Sequence, residues 1–317
     1  MSVIDSDMVA MLRTSLRHVL TEVSDRSLAQ RLDDLGWDEV VATDPATALQ
    51  TMFEIKGETL SSAAALGPEL ARVFRVHVGD ELAGVVVGLA SPFGANHLDG
   101  DTLHVEATAL SVLDGASLVV PLDSRLAVCP SAGLTEAPMT ELDENFGAVR
   151  VTGTVSAGEV KWIDGDVWPH VVAHGRWLAA CELVGIARHV IATAVEYTGQ
   201  RVQYGKAIGE FQALQHRIAS AHALVVGAGH LATEAGRGGD EWTALVAKCM
   251  AGSAAEFACT QAQQCYGAIG FTWEHEFHRY LRRTYTLDRL FGDWRSLEHE
   301  IGNRLQRTGV VPRIGTL

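Results

Sequence analysis

The chain has 317 residues, 47% hydrophobic and 20% charged, which is enough apolar material for two or three packed subdomains. Its formal charge of −14 argues against a nucleic-acid backbone or an anionic membrane as partner, because an acidic surface repels both. No uninterrupted apolar run reaches the roughly eighteen residues of a membrane span, and no charged start leads into an apolar leader core, so a cytoplasmic protein is expected.

Met8, Leu12, Leu16, Val19 and Leu20 form an apolar stripe at helical spacing and predict the first arm of a helical hairpin. Ser24 and Asp25 are candidates to cap a second helix that stops near Gly36. Asp44 before Pro45 marks another start, and the helix that follows is expected to run towards Leu66 with a break at Gly57. From Val73 the pattern changes. Segments 73–89, 103–113, 116–129 and 147–162 are rich in β-branched residues, and Gly79-Asp80, Asp99-Gly100-Asp101, Asp114-Gly115 and Asp164-Gly165-Asp166 suit hairpin connections. Helical periodicity returns near Pro169 and continues through 171–199 and 211–235. Gly236-Arg237-Gly238-Gly239 ends that second helix, and Asp240 and Glu241 can cap a long one from Trp242 to about Tyr266. Within it, Ala251-Gly252-Ser253-Ala254-Ala255 permits close approach of a neighbour. The expected class is α+β, mostly α: N-terminal helices over 1–70, a small middle β-domain over 71–168 and a C-terminal helical bundle over 169–317.

Cys129, Cys181, Cys249, Cys259 and Cys265 are scattered and mostly within apolar helical stretches, so they read as small buried hydrophobes rather than as a disulfide or zinc framework. His275 and His278 are three apart, but no third metal ligand follows at a regular interval. Gly227-Ala228-Gly229 resembles the opening of a dinucleotide fingerprint. That motif needs a preceding strand and a later acidic residue, whereas 211–224 is helical in pattern and Lys248, Cys249 and Met250 stand near the acidic position. Helix–helix packing is therefore the expected role of these glycines.

The run Arg201-Val202-Gln203-Tyr204-Gly205-Lys206-Ala207-Ile208-Gly209-Glu210-Phe211-Gln212-Ala213-Leu214-Gln215-His216 closely resembles the R-x-x-F-G-x-x-I-x-x-F-Q-x-x-Q-H segment of acyl-CoA dehydrogenases. A second run, Gln264-Cys265-Tyr266-Gly267-Ala268-Ile269-Gly270-Phe271, resembles the family's Q-x-x-G-G-x-G-[FY] turn at the expected distance, with Ala268 replacing the second glycine. The resemblance implies an acyl-CoA dehydrogenase-like fold. It also implies an FAD across a subunit interface, its ring on one chain and its ADP arm under the helical bundle of the neighbour. Arg201 with Gln203, Tyr204 and Gln212 would then meet the pyrophosphate, and Gln264, Gly267 and Ala268 would form the turn against the adenosine.

The implied reaction removes the α-proton of an acyl-CoA thioester while hydride passes to the flavin, and it needs a carboxylate base. The family places that glutamate near the C-terminus or just before an arginine opening the first C-terminal helix. Aligned on the first pattern, Gly292 stands in its place with Asp293 one residue later; on the second, Gly175 precedes Arg176. The flavin-cradling strand pattern is also missing, Lys161-Trp162 being its nearest fragment. Half a site implies a homologous, larger acyl-CoA dehydrogenase subunit as partner in a hetero-oligomer, a heterotetramer. The resemblance extends to the short subunits of heteromeric bacterial steroid-degrading enzymes, whose substrate would be a CoA thioester. Two alternatives stay open: Asp293 as a displaced catalytic base, against its capping the helix that begins at Trp294, and a non-catalytic structural or regulatory chain. Arg176 is expected to be a buried cation that orders a loop or pairs with a helix terminus; Trp273, Glu274, His275 and Arg283 are expected to shape an interface.

Overall fold

The computed structural model describes residues 4–22, 27–79, 82, 84–140 and 143–314. Contacts divide the chain into two compact units, residues 1–63 together with 176–317, and residues 64–175.

In the first unit, α1 (Ser6–Thr21) is N-capped by Asp5 and buries Leu12, Leu16, Val19 and Leu20 of the stripe read from the sequence, while Met8, in its first turn, is exposed. Helix α2 (Leu28–Asp34) starts from a capping box of Ser27 and Gln30; Ser24 and Asp25 lie outside the described residues. After α3 (Trp37–Thr43), Asp44 caps α4 (Pro45–Thr59), with proline in the first turn. Helix α4 ends at Leu60, held at φ +50°, and does not reach Leu66. Gly57 is no break either. It lies inside the helix, where a Cβ would sit 2.1 Å from the Glu182 carbonyl oxygen, and a Cβ on Gly185 would sit 2.0 Å from the Glu54 carbonyl oxygen. The two glycines let α4 and α6 (Trp168–Gln200) cross with their backbones in contact.

Beside that crossing, Lys56 and Arg283 bond the fully buried Glu182 at 2.8 and 3.1 Å. Arg283, 1% exposed, also donates to the Ser61 carbonyl, so it is a core cation and not an interface residue. By length and composition residues 165–200 could cross a membrane, but 72% of the most apolar stretch is buried within the protein. The ion-paired Glu182 in its middle fits the core helix of a folded unit. Helices α7 (Gln212–Gly238), α8 (Glu241–Tyr266), α9 (Phe277–Arg289) and α10 (Trp294–Thr308) complete the bundle. Asp240 caps α8 through the Thr243 N–H. The small-residue stretch acts as expected: a Cβ on Gly252 would lie 2.3 Å from Asp288 Oδ1 and 3.0 Å from Trp294 Cβ. Both fingerprint-like glycines lie mid-helix in α7, but only Gly229 packs, against Arg188; Gly227 is exposed, with nothing within 4 Å of where a Cβ would stand. All five cysteines are free and buried.

In the second unit the β reading of 73–78 is overturned, because these residues end α5 (Leu66–Val78), which buries Leu66, Leu70, Val73 and Phe74 on one helical face. The strands are β1 (Val85–Ala90), β2 (His97–Asp99), β3 (Thr102–Ala109), β4 (Ser117–Leu122), β5 (Arg125–Cys129), β6 (Leu134–Pro138), β7 (Val149–Ser156) and β8 (Lys161–Asp164). They form one sheet in the order β6-β7-β3-β1-β4-β5-β8, with β2 paired to β3. Its buried face, including Leu103, Val105, Leu118, Val120, Val151 and Val155, is the core of this unit.

Asp99-Gly100-Asp101 makes the expected β2–β3 hairpin. Asp114-Gly115 does not join hairpin partners, because β4 pairs with β1 in parallel. Asp164-Gly165-Asp166 leads through a 3-10 turn into α6. The β4–β5 hairpin turns instead at Asp123-Ser124, with Asp123 at φ +52°. Of the Gly79-Asp80 turn, Asp80 is outside the described residues.

Candidate functional site

Helix α6 ends at Gln200, and Arg201 opens a two-stranded hairpin, β9 (Val202–Gln203) with β10 (Lys206–Ala207). Gln203 pairs with Lys206, and the Ile208 N–H closes the loop on the Arg201 carbonyl at 2.8 Å. Tyr204 and Gly205, at φ +55° and +80°, form the two-residue tip, a conformation in which the glycine is favoured and the tyrosine is unusual. Phe211 is the anchor beneath: the Tyr204 ring meets it edge-on, and Lys206 Nζ lies 4.4 Å from its centroid.

Arg201, Gln203, Tyr204 and Gln212 are all exposed, Tyr204 at 93%. Among the described residues Arg201 has neither an ion pair nor a side-chain hydrogen bond. At the other motif Gln264 and Ala268 are exposed, and Gly267 takes φ +63° where α8 stops and a 3-10 turn begins. The helices bearing the two motifs are joined near their ends. Tyr266 packs edge-on against Tyr197 and shares a 2.8 Å hydrogen bond with Thr193, while Arg217 of α7 donates to Gln261 of α8 at 2.8 Å. A loose cation, several amide groups and a left-handed glycine turn fit a phosphate-bearing nucleotide in their donor chemistry.

The positions where a base was sought have a different character. Gly292 lies between α9 and α10 at φ +99°, just after Phe291 at φ +61°. Asp293 is the N-cap of α10. Its carboxylate accepts the Arg295 and Ser296 N–H groups at 3.2 Å each, and Arg289 lies 3.8 Å away. Burial opposes its charge, but the Ser296 and Arg295 hydrogen bonds and the Arg289 charge outweigh burial and lower its pKa. A carboxylate tied to a helix start and acidified in this way is poorly suited to take up a proton near neutral pH.

Arg176 is buried and donates to the Phe291 carbonyl and to Glu300, each at 3.1 Å. It therefore orders the α9–α10 turn directly. Sequence reading missed its counterpart, Lys248 on α8. Fully buried, Lys248 donates to the Asp288 and Gly292 carbonyls at 3.0 and 3.2 Å and lies 3.5 Å from Asp288 Oδ1. Burial lowers its pKa to about 8 against the pull of Asp288, and burial raises that of Asp288. The available signal was a charge inside the apolar run Ala247-Lys248-Cys249, which demands a buried partner.

Residues 167–299 match the family model described as acyl-CoA dehydrogenase, C-terminal domain. Among curated relatives, the acyl-CoA dehydrogenase IpdE2 of Mycobacterium tuberculosis is 35% identical over 108 residues, 34% of each chain. FadE34 of the same organism is 29% identical over 68% of this chain and 31% of its own length. The matched stretches thus span about a third of these relatives. Solved structures align over nearly the whole fold. A steroid acyl-CoA dehydrogenase, Tcur3481-Tcur3483, gives a TM-score of 0.77 at 18% identity, covering 96% of this chain and 99% of that one. The ChsE4-ChsE5 complex from Mycobacterium tuberculosis gives 0.75 at 18% identity, covering 97% and 98%.

Proposed function

We propose that the chain is the FAD-covering subunit of a heteromeric acyl-CoA dehydrogenase, because residues 167–299 match the acyl-CoA dehydrogenase C-terminal domain and the chain has the acyl-CoA dehydrogenase fold. In this reading Arg201, Gln203, Tyr204 and Gln212 hold the pyrophosphate, and Gln264, Gly267 and Ala268 line the adenosine. FAD accepts the hydride when it is bound. The reacting carbons and the base belong to a homologous larger partner in a cytoplasmic heterotetramer. The substrate is a CoA thioester; that one solved neighbour is a steroid acyl-CoA dehydrogenase supports a steroid-derived acyl group within cholesterol catabolism, and the ChsE4-ChsE5 pairing of another supports a two-chain assembly.

One contrast carries the proposal: the candidate cofactor residues face outward, while the base positions are lost. Gly175 and Gly292 have no side chain, and Asp293 is engaged as a cap. Arg176 supports the turn and does not reach for substrate. Co-expression with a homologous partner, followed by native mass and flavin absorbance, tests the reading. The expected result is FAD bound only by the pair, with fewer flavins than chains. A yellow, active oligomer of this chain alone would overturn it, and a pair without flavin would favour a purely structural subunit.

A further inference from the structure

We propose that His97 and His104, paired across the β2–β3 hairpin, form a chelating site for a late first-row divalent cation of the zinc or copper type. Both residues lie in the second unit, whereas every candidate cofactor residue lies in the first, so the inference does not rest on the cofactor reading.

The register sets the two residues directly opposite each other on antiparallel strands. Leu103 and Val105 point into the core of the unit, so His104 projects from the other face of β3, and His97 beside it is exposed. Their rings are parallel, with centroids 4.6 Å apart. The His97 imidazole has the kind of outer partner that ligating histidines use. Its Nδ1 lies 3.3 Å from the Ala95 carbonyl oxygen, which only accepts, so Nδ1 carries the proton and Nε2 keeps its lone pair. Neither nitrogen of His104 meets a protein partner among the described residues. The hairpin thus holds two imidazoles side by side with ligating nitrogens uncommitted.

Zinc–nitrogen bonds of about 2.1 Å set two nitrogens on one ion roughly 3–3.4 Å apart. Directly opposite strand residues start from Cβ atoms about 5 Å apart, so side-chain torsions alone bring the nitrogens to that separation and the backbone stays in place. Among the described residues no group of three or more His, Cys, Asp or Glu is placed to hold an ion, so the donor set is two nitrogens, with water completing the sphere. Imidazole donors favour zinc, nickel and copper, whereas magnesium and calcium take oxygen ligands.

The surrounding charge has the right sign. Asp99 follows His97 on the same face of β2 and has no ion pair among the described residues. Arg150, the cation on β7, is held by Glu106 through hydrogen bonds of 3.0 and 2.7 Å. The hairpin also has something to gain. Strand β2 is three exposed residues long and, among the described residues, pairs only with β3, so it opens readily, and a chelate across it would fasten it. The other stacked pair, His77 with His170 at 4.5 Å, is a poorer host: His170 stands in the first turn of α6, where the positive end of the helix opposes a cation.

Calorimetric titration of the untagged full chain with zinc chloride tests the site. One ion per chain is expected, and magnesium chloride should give no binding heat. His97→Ala and His104→Ala should each weaken zinc about tenfold or more, because each removes one of two ligands, and both should melt near the wild-type temperature without metal. His77→Ala should leave zinc binding unchanged. Zinc should also slow amide hydrogen exchange across residues 96–106 of the wild-type chain and not of His104→Ala. Zinc binding that survives both hairpin substitutions, that is lost equally in His77→Ala, or that is not saturable by about 0.1 mM metal would overturn the proposal.

Discussion

Restoring a glutamate at the position where the base was sought, by Gly292→Glu, should damage the protein without creating activity. The backbone there has φ +99°, and a side chain held in that region costs about 1–3 kcal/mol. A Cβ would stand 2.7 Å from Leu297 Cδ2, and Leu297, 1% exposed, has no room to withdraw, so crowding adds about 1–3 kcal/mol. Rotating the peptide away is opposed, because the carbonyls of Gly292 and Phe291 are held by Lys248 and Arg176. Urea unfolding should therefore show a loss of about 2–6 kcal/mol, most of it shared by Gly292→Ala, and the partnered complex should gain no turnover of a CoA thioester. A Gly292→Glu protein within about 1 kcal/mol of wild type, or one that dehydrogenates substrate through the new carboxylate, would refute the claim that the backbone itself rejects a base here.

Glu182→Gln leaves Lys56 and Arg283 buried without their carboxylate and should cost about 3–5 kcal/mol in denaturant unfolding. Because the pKa of Lys248 falls from 10.5 unfolded to about 8 folded, its contribution to stability is fully present above pH 10.5 and is lost as pH falls through 8, by up to about 3 kcal/mol. The difference between wild type and Lys248→Met, measured from pH 7 to 10, isolates this slope from that of the buried thiols, whose raised pKa values lower stability above pH 9. Asp293→Asn should keep both the α10 cap and the activity of the pair, while Asp293→Ala should lose about 1 kcal/mol of stability and no turnover. Arg201→Ala should leave unfolding unchanged, since the side chain is exposed, yet lower the flavin count of the pair; unchanged FAD occupancy would remove Arg201 from the cofactor site.

What was legible in the sequence followed from local signals. Asp240 before an apolar run placed the start of α8, and the two motifs placed an outward-facing set of cofactor candidates. Val73-Phe74-Arg75-Val76-His77-Val78 misled because it alternates like a strand, while Leu66 and Leu70 complete a helical stripe with Val73 and Phe74. Gly57 looked like a break because its purpose, contact with the Glu182 backbone, lies 125 positions away in the chain. The parallel pairing of β1 with β4 has no local signature at all. The run Ala247-Lys248-Cys249 signalled a buried charge, but the carbonyl partners of Lys248 were unreadable for the same reason: they lie on another helix and on a turn, and a carbonyl carries no residue type to read.

A glutamate at position 292 would need a backbone an L side chain can adopt, whereas Phe291 and Gly292 both turn left-handed, and the carbonyls of residues 288, 291 and 292 are all captured by cations from α6 and α8. Arg176 thus has work that needs no carboxylate at position 175, and Lys248 has work that needs none at 292. The absent base and the braced turn are one feature: the α9–α10 corner is built as a structural joint, with Asp293 beginning the next helix. Chemistry at this corner would require a different backbone, which is why the proposed function assigns the carboxylate to a partner chain.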